Sequence, residues 1–138
     1  MKHLLALLLI FASISFARST EERITTATIG LKKPDVYEFF ADSKMLRRYS
    51  TDSNLIPNLN VTPHDAATRV KKAVEKAYGF PLQNIMMQSV GAASLSNDVS
   101  RYIWYYHCYP QWINADGHAQ QLPVLVLPSG KVLFPKKK

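Results

Sequence analysis

Cysteine is nearly missing from this chain: Cys108 stands by itself. One thiol excludes an intramolecular disulfide framework and any multi-cysteine metal cluster. Carboxylates are also scarce, ten Asp and Glu against seventeen Lys and Arg, which gives a formal charge of +7. No G-x-S-x-G, P-loop or H-E-x-x-H motif occurs, and no pair of carboxylates has the spacing of an acid/base couple, so sequence motifs supply no enzyme class. Repeats and low-complexity tracts are absent. At 138 residues the chain is too short for a TIM barrel, a kinase or a Rossmann domain with a substrate domain. A hydrophobic share of 47% with 20% charged residues excludes a disordered chain and fits a single small folded domain.

The first seventeen residues are different in kind. Lys2 precedes an apolar run from Leu4 to Phe16, and Ser15-Phe16-Ala17 places small residues where a signal peptidase reads, before Arg18. This pattern predicts a cleavable secretory signal over residues 1–17, and hence a periplasmic or secreted protein. The run is short for a membrane anchor across roughly 30 Å of hydrocarbon. Cleavage after Ala17 removes 17 residues and one cation, leaving 121 residues with a formal charge of +6. A basic exported chain is attracted to anionic surfaces. Its dense basic clusters are Arg69, Lys71, Lys72 and Lys76 in one segment, and Lys136, Lys137 and Lys138 at the end. The second is a candidate contact for an anionic polymer or lipid surface. No nucleic-acid reader module accompanies either cluster, so nucleic acid is not an expected partner.

Residues 18–59 are expected to form an N-terminal segment and linker. Ile24 to Ile29 alternates weakly as a short strand or arm. Pro34-Asp35 predicts a helix start, with Val36, Phe39, Phe40 and Leu46 as a partial stripe. STDSNLIPNLN, over residues 50–60, is rich in turn formers.

Residues 60–138 are more legible. Thr62, Pro63 and Asp65 predict a capped helix start. Ala66, Val70, Ala73, Val74 and Ala77 then form one apolar stripe. Gly79 predicts a left-handed cap and Pro81 a stop. Strands follow over Leu82–Leu95, Arg101–Tyr109, Gln121–Leu127 and Lys131–Phe134, with turn signals at Asp116-Gly117 and Pro128-Ser129-Gly130. The expected class is α+β, one amphipathic helix packed on a three- to four-stranded antiparallel sheet.

That order resembles the PepSY-like domains, small cystatin-like modules of exported bacterial proteins. The likeness rests on Val61-Thr62-Pro63 with Ala66 and Ala67, on Trp104-Tyr105-Tyr106, on Leu122 to Leu127, and on Gly130-Lys131-Val132. The close through Pro135 is also similar to short secreted proteins of planctomycete and verrucomicrobial bacteria. The last turn departs from the usual aspartate-x-x-threonine-glycine, reading Leu-Pro-Ser-Gly here. The resemblance implies a binding or accessory unit, peptidase-inhibitory or protein-interacting, with no catalytic residue and no cofactor. A protein or peptide of the cell envelope is the implied partner.

Alternation along the aromatic strand separates Tyr102, Trp104, Tyr106 and Cys108 from Ile103, Tyr105, His107 and Tyr109. If the first set packs on the helix, Tyr105, His107 and Tyr109 become a candidate ligand-binding face. Residues 20–50 or a second copy could instead cover it. The competing class is a small secreted hydrolase or metal-dependent enzyme using His107 and His118. Its candidate metal ligands are His107, Asp116 and His118, against a reading as a strand histidine beside a polar loop. Adjacent His107 and Cys108 point to opposite faces, which argues against a Cys108 nucleophile.

Overall fold

The computed structural model describes residues 20–30, 33–52, 60–95 and 98–138, apart from the side chains of Gln88 and Ser89. The expected signal over residues 1–17 and most of the expected linker lie outside those residues. The elements are β1 (Glu21–Ile29), β2 (Asp35–Asp42), α1 (Ser43–Tyr49), β3 (Thr51–Asp52), α2 (Pro63–Tyr78), β4 (Asn84–Leu95), β5 (Asp98–Ile113), β6 (Ala119–Gln121), β7 (Val124–Val126), β8 (Val132–Leu133) and β9 (Lys136–Lys137). The class is α+β, with strands predominating and every described pairing antiparallel.

The helix α2 follows its capping signals closely. The Asp65 N–H donates to Thr62 Oγ1 at 3.1 Å, and the Thr62 N–H donates back to Asp65 Oδ2 at 3.4 Å. The Thr62 hydroxyl, donating to Asp65 Oδ2 at 2.8 Å, and the Thr62 N–H together hold the Asp65 pKa below its ordinary value. Gly79 ends the helix at φ 75°, a left-handed cap that favours glycine. Ala66, Val70 and Val74 are fully buried, whereas Ala77, at the edge of the expected stripe, is exposed.

The strand β5 organises the larger sheet. β4 pairs along one of its edges from Asn84↔Gln111 to Leu95↔Asp98. Its other edge carries β3, β7 and β6 in succession, opposite Arg101–Tyr102, Tyr106–Cys108 and Gln111–Ile113. The break between β6 and β7 falls at Leu122-Pro123, since proline has no N–H to donate to a ladder. β8 completes the sheet beside β7. On one face α2 packs through Ala66, Val70 and Val74 onto Tyr106, Cys108, Trp112, Val124 and Val126. The Tyr106 hydroxyl donates to the Val61 carbonyl at 2.7 Å, tying the approach to α2 to this sheet.

The other face is covered by a second sheet, β1–β2–β9. This is the main departure from expectation. The helix expected from Pro34 is strand β2 followed by the short helix α1. Val36, Tyr37, Phe39 and Phe40 are β-branched or aromatic and suit a strand, and β2 pairs with β1 along its whole length. Asp42 then caps α1, its Oδ1 accepting from the Lys44 and Met45 N–H groups at 3.0 Å. β1 carries an irregularity between Arg23 and Thr25, so Ile24 and Ala27 are both buried although three residues apart. Ile24, Ala27, Phe39, Ala41 and Leu46 share one core with Ile103, Tyr105, Leu125, Leu127 and Leu133. The boundary expected near residue 60 therefore does not divide two cores.

Gly91 sits opposite Tyr105 in the β4–β5 ladder. A Cβ there would strike the Tyr105 ring edge and lie 2.7 Å from its Oη. The buried ring has little room to retreat, so Gly91 is the residue over which Tyr105 lies. We expect Gly91→Ala to lower unfolding free energy by about 1–3 kcal/mol through overpacking. Urea denaturation measures this, and an unchanged midpoint would show that the ring moves freely.

Candidate functional site

The aromatic face expected to be open is closed. Tyr105 and Tyr109 are 7% and 9% exposed. The β1–β2 sheet packs on Tyr105, and its Phe39 meets His107, so the alternative in which residues 20–50 lie over this face is the one observed there. His107 is half-buried in the same layer. Its ring centroid is 4.8 Å from that of Tyr109, 6.3 Å from Phe39 and 6.5 Å from Tyr105. Its Nε2 is buried without a hydrogen-bond partner among the described residues. Burial lowers the His107 pKa and raises that of Tyr109.

Asp116 and His118 do not join His107. They lie in the β5–β6 turn, where Asn114 Oδ1 accepts their backbone N–H groups at 3.1 and 2.9 Å. Both residues are exposed. Among the described residues no group of three or more His, Cys, Asp or Glu is placed to hold a metal ion. Cys108 is fully buried against α2, and burial pushes its thiol up to about 11. A protonated, covered thiol is a poor nucleophile.

The C-terminal lysines are partly engaged. Lys136 Nζ lies 2.8 Å from Glu21 Oε2 and sits over the Phe40 ring, and Lys137 Nζ lies 2.8 Å from Asp35 Oδ1. β9 holds both beside β2. Opposing carboxylates therefore offset much of the charge expected to make a free basic tail.

Positive charge also gathers elsewhere. A cleft of about 610 Å³ is lined by Lys44, Met45, Arg48 and Tyr49 of α1, Arg69 of α2, and Ser129, Gly130 and Lys131 of the β7–β8 turn. Four of the eight lining residues are cations and none is acidic. α1 brings Lys44 and Arg48 to one side because they are four residues apart. The turn reaches the cleft because Gly130 has φ 82°. A Cβ at Gly130 would come within 2.7 Å of the Arg69 guanidinium, which lies over the turn with Nη1 3.4 Å from the Gly130 carbonyl. Ser129 Oγ lies 4.0 Å from Met45 Sδ, bringing the turn against α1. Arg48 sits 5.7 Å from the Tyr49 ring centroid, within cation–π range. Such a cleft can bind an anion: arginines offer forked donors, lysines point charges, and Tyr49 and Met45 an apolar wall.

Of the cleft residues, sequence reasoning singled out the basic segment of Arg69, the Ser129-Gly130 turn and Lys131 as a strand start. It missed Lys44 and Arg48 as site residues, since their helix was expected to begin upstream. Nothing local in the sequence connects residues 44, 69 and 131.

Comparison of the chain with protein-family models, curated proteins and solved structures returns no match.

The burial of the His107 imidazole makes stability pH-dependent in a defined direction. The folded pKa of His107 lies below the ordinary 6.5. Stability is therefore complete above that value and declines as pH falls through it, because the unfolded chain takes up the proton first. We expect the urea midpoint to fall from about pH 8 towards pH 5, and His107→Phe to flatten that fall. An equal fall in the variant would assign the dependence to other groups.

Proposed function

We propose that the protein is an exported, non-catalytic binding module whose ligand site is the cationic cleft between α1, α2 and the β7–β8 turn. The observation that carries this reading is the convergence of Lys44, Arg48, Arg69 and Lys131, from three separate stretches of chain, on one cleft without a lining carboxylate. Residues gathered from distant sequence positions onto a shared concavity are what a small-molecule site requires. The cleft volume falls in the range of such sites, roughly 300–1,000 Å³. The ligand class is an anion, with phosphate the best match to paired arginine forks.

The PepSY-like build is part of the same proposal. Its support is the order of α2 followed by β4, β5, β7 and β8, with the helix on one face of an antiparallel sheet. Export rests on the apolar, small-residue pattern of residues 1–17. The binding reading is preferred to hydrolase or metal chemistry because His107 and His118 are held apart, one under β2 and one in an exposed turn.

The test is calorimetric titration of the protein with inorganic pyrophosphate at moderate salt. Arg48→Gln and Arg69→Gln should each weaken binding about fivefold, the scale of one exposed charge contact. Lys136→Gln should leave it unchanged. Absence of pyrophosphate binding, or equal weakening by all three substitutions, would overturn the assignment of the site.

A further inference from the structure

The positive charge does not stop at the cleft. Arg69, Lys72 and Lys76 are spaced by three and four residues on α2, which sets them along one face. All three are exposed, and the buried stripe of Ala66, Val70 and Val74 lies on the opposite side. A rise of 1.5 Å per residue places Lys76 about 10 Å beyond Arg69 along the helix axis. Two carboxylates of α2 lie near the row: Asp65, four residues before Arg69, is held in the cap by Thr62, and Glu75, three residues after Lys72, points onward to accept the Leu82 N–H at 3.0 Å. The ion pairs Arg23–Glu38, Lys136–Glu21 and Lys137–Asp35 draw on none of Lys44, Arg48, Arg69, Lys72, Lys76 and Lys131.

Resting on the cleft as the ligand site, we infer that the cleft and the α2 row form one continuous basic track for a linear chain of phosphate groups. A compact anion would engage the cleft and leave Lys72 and Lys76 without a role. A chain with regularly repeated negative charge engages both, releasing one counterion for each phosphate neutralised. The same chemistry is offered by inorganic polyphosphate and by a phosphodiester-linked envelope polymer. Single-stranded nucleic acid is a poorer match, because it needs aromatic platforms for its bases. Along this track the cleft offers the half-buried Tyr49, and the α2 row offers no ring.

The experiment is competition binding of the full chain with three probes: long-chain inorganic polyphosphate, pyrophosphate and oligothymidylate. Each is titrated over a range of salt. Polyphosphate should bind more tightly than pyrophosphate and with a steeper salt dependence. The double variant Lys72→Gln, Lys76→Gln should weaken polyphosphate at least about tenfold and lower its log–log salt slope by roughly 1–2. Pyrophosphate affinity should stay the same. Glutamine keeps helix propensity close to that of lysine, and circular dichroism checks that α2 persists. If the double variant leaves polyphosphate unaffected, or weakens both phosphate probes equally, the track is wrong while the cleft survives. If pyrophosphate fails to bind the unaltered protein, the cleft reading itself fails and the track with it. Tighter binding of oligothymidylate than of polyphosphate overturns the base-free ligand class. A phosphodiester-linked envelope polymer that displaces polyphosphate from the unaltered protein, but not from the double variant, identifies the polymer as the source.

Discussion

A long strand with apolar side chains on both faces must be covered twice. β5 presents Tyr106, Cys108 and Trp112 to one side and Ile103 and Tyr105 to the other. Burial of each such side chain is worth roughly 1.5–3 kcal/mol, so neither face can be left to water. The rest of the fold follows from that constraint. α2 covers the first face and the β1–β2 sheet the second. The paired β7 strand obeys the same division, with Val124 and Val126 towards the helix and Leu125 towards the second sheet. Arg101, at the start of the aromatic stretch, donates to the Ser50 hydroxyl and carbonyl at 2.8 Å and so fastens the end of α1 to β5.

The two layers differ in how they treat polar groups. On the helix side the Tyr106 hydroxyl finds the Val61 carbonyl, and Cys108 behaves as a small hydrophobe. On the sheet side His107 is surrounded by rings, with its Nε2 unsatisfied among the described residues. A buried polar atom without a partner costs about 1–3 kcal/mol. The surrounding packing outweighs that cost while the imidazole is neutral. A protonated imidazole would bear a much larger desolvation penalty.

Surface charge is divided just as unevenly. Six of the described carboxylates serve structure: Asp42 and Asp65 cap helices, Asp98 accepts from the Ser100 N–H, and Glu21, Asp35 and Glu38 pair with Lys136, Lys137 and Arg23. With ten acidic residues against seventeen basic ones, an excess of cations has to accumulate somewhere. It accumulates where α1, α2 and the β7–β8 turn meet, and along α2. Gly130 is central to that meeting, since any side chain there would displace Arg69.

The start and stop of α2 were legible in Thr62, Pro63, Asp65 and Gly79 because capping is a local exchange between neighbouring residues. The aromatic strand and its alternation were legible because a period of two is written into consecutive positions. The sequence by itself therefore determined the α+β class, the helix ends, the burial of Tyr106 and Cys108 under the helix and the surplus of positive charge, whereas Tyr102 and Trp104 of the same set stay half-buried outside that core. It could not determine what lies on the far side of β5. Phe39 and Ala41 meet Ile103 and Tyr105 across some sixty residues of chain, and no local spacing records that pairing. For the same reason only the tertiary structure buried Tyr105 and Tyr109, separated His107 from His118, and brought Lys44, Arg48, Arg69 and Lys131 to one cleft. Capping and periodicity act between neighbours, whereas burial and electrostatic convergence depend on which distant segments come to rest together.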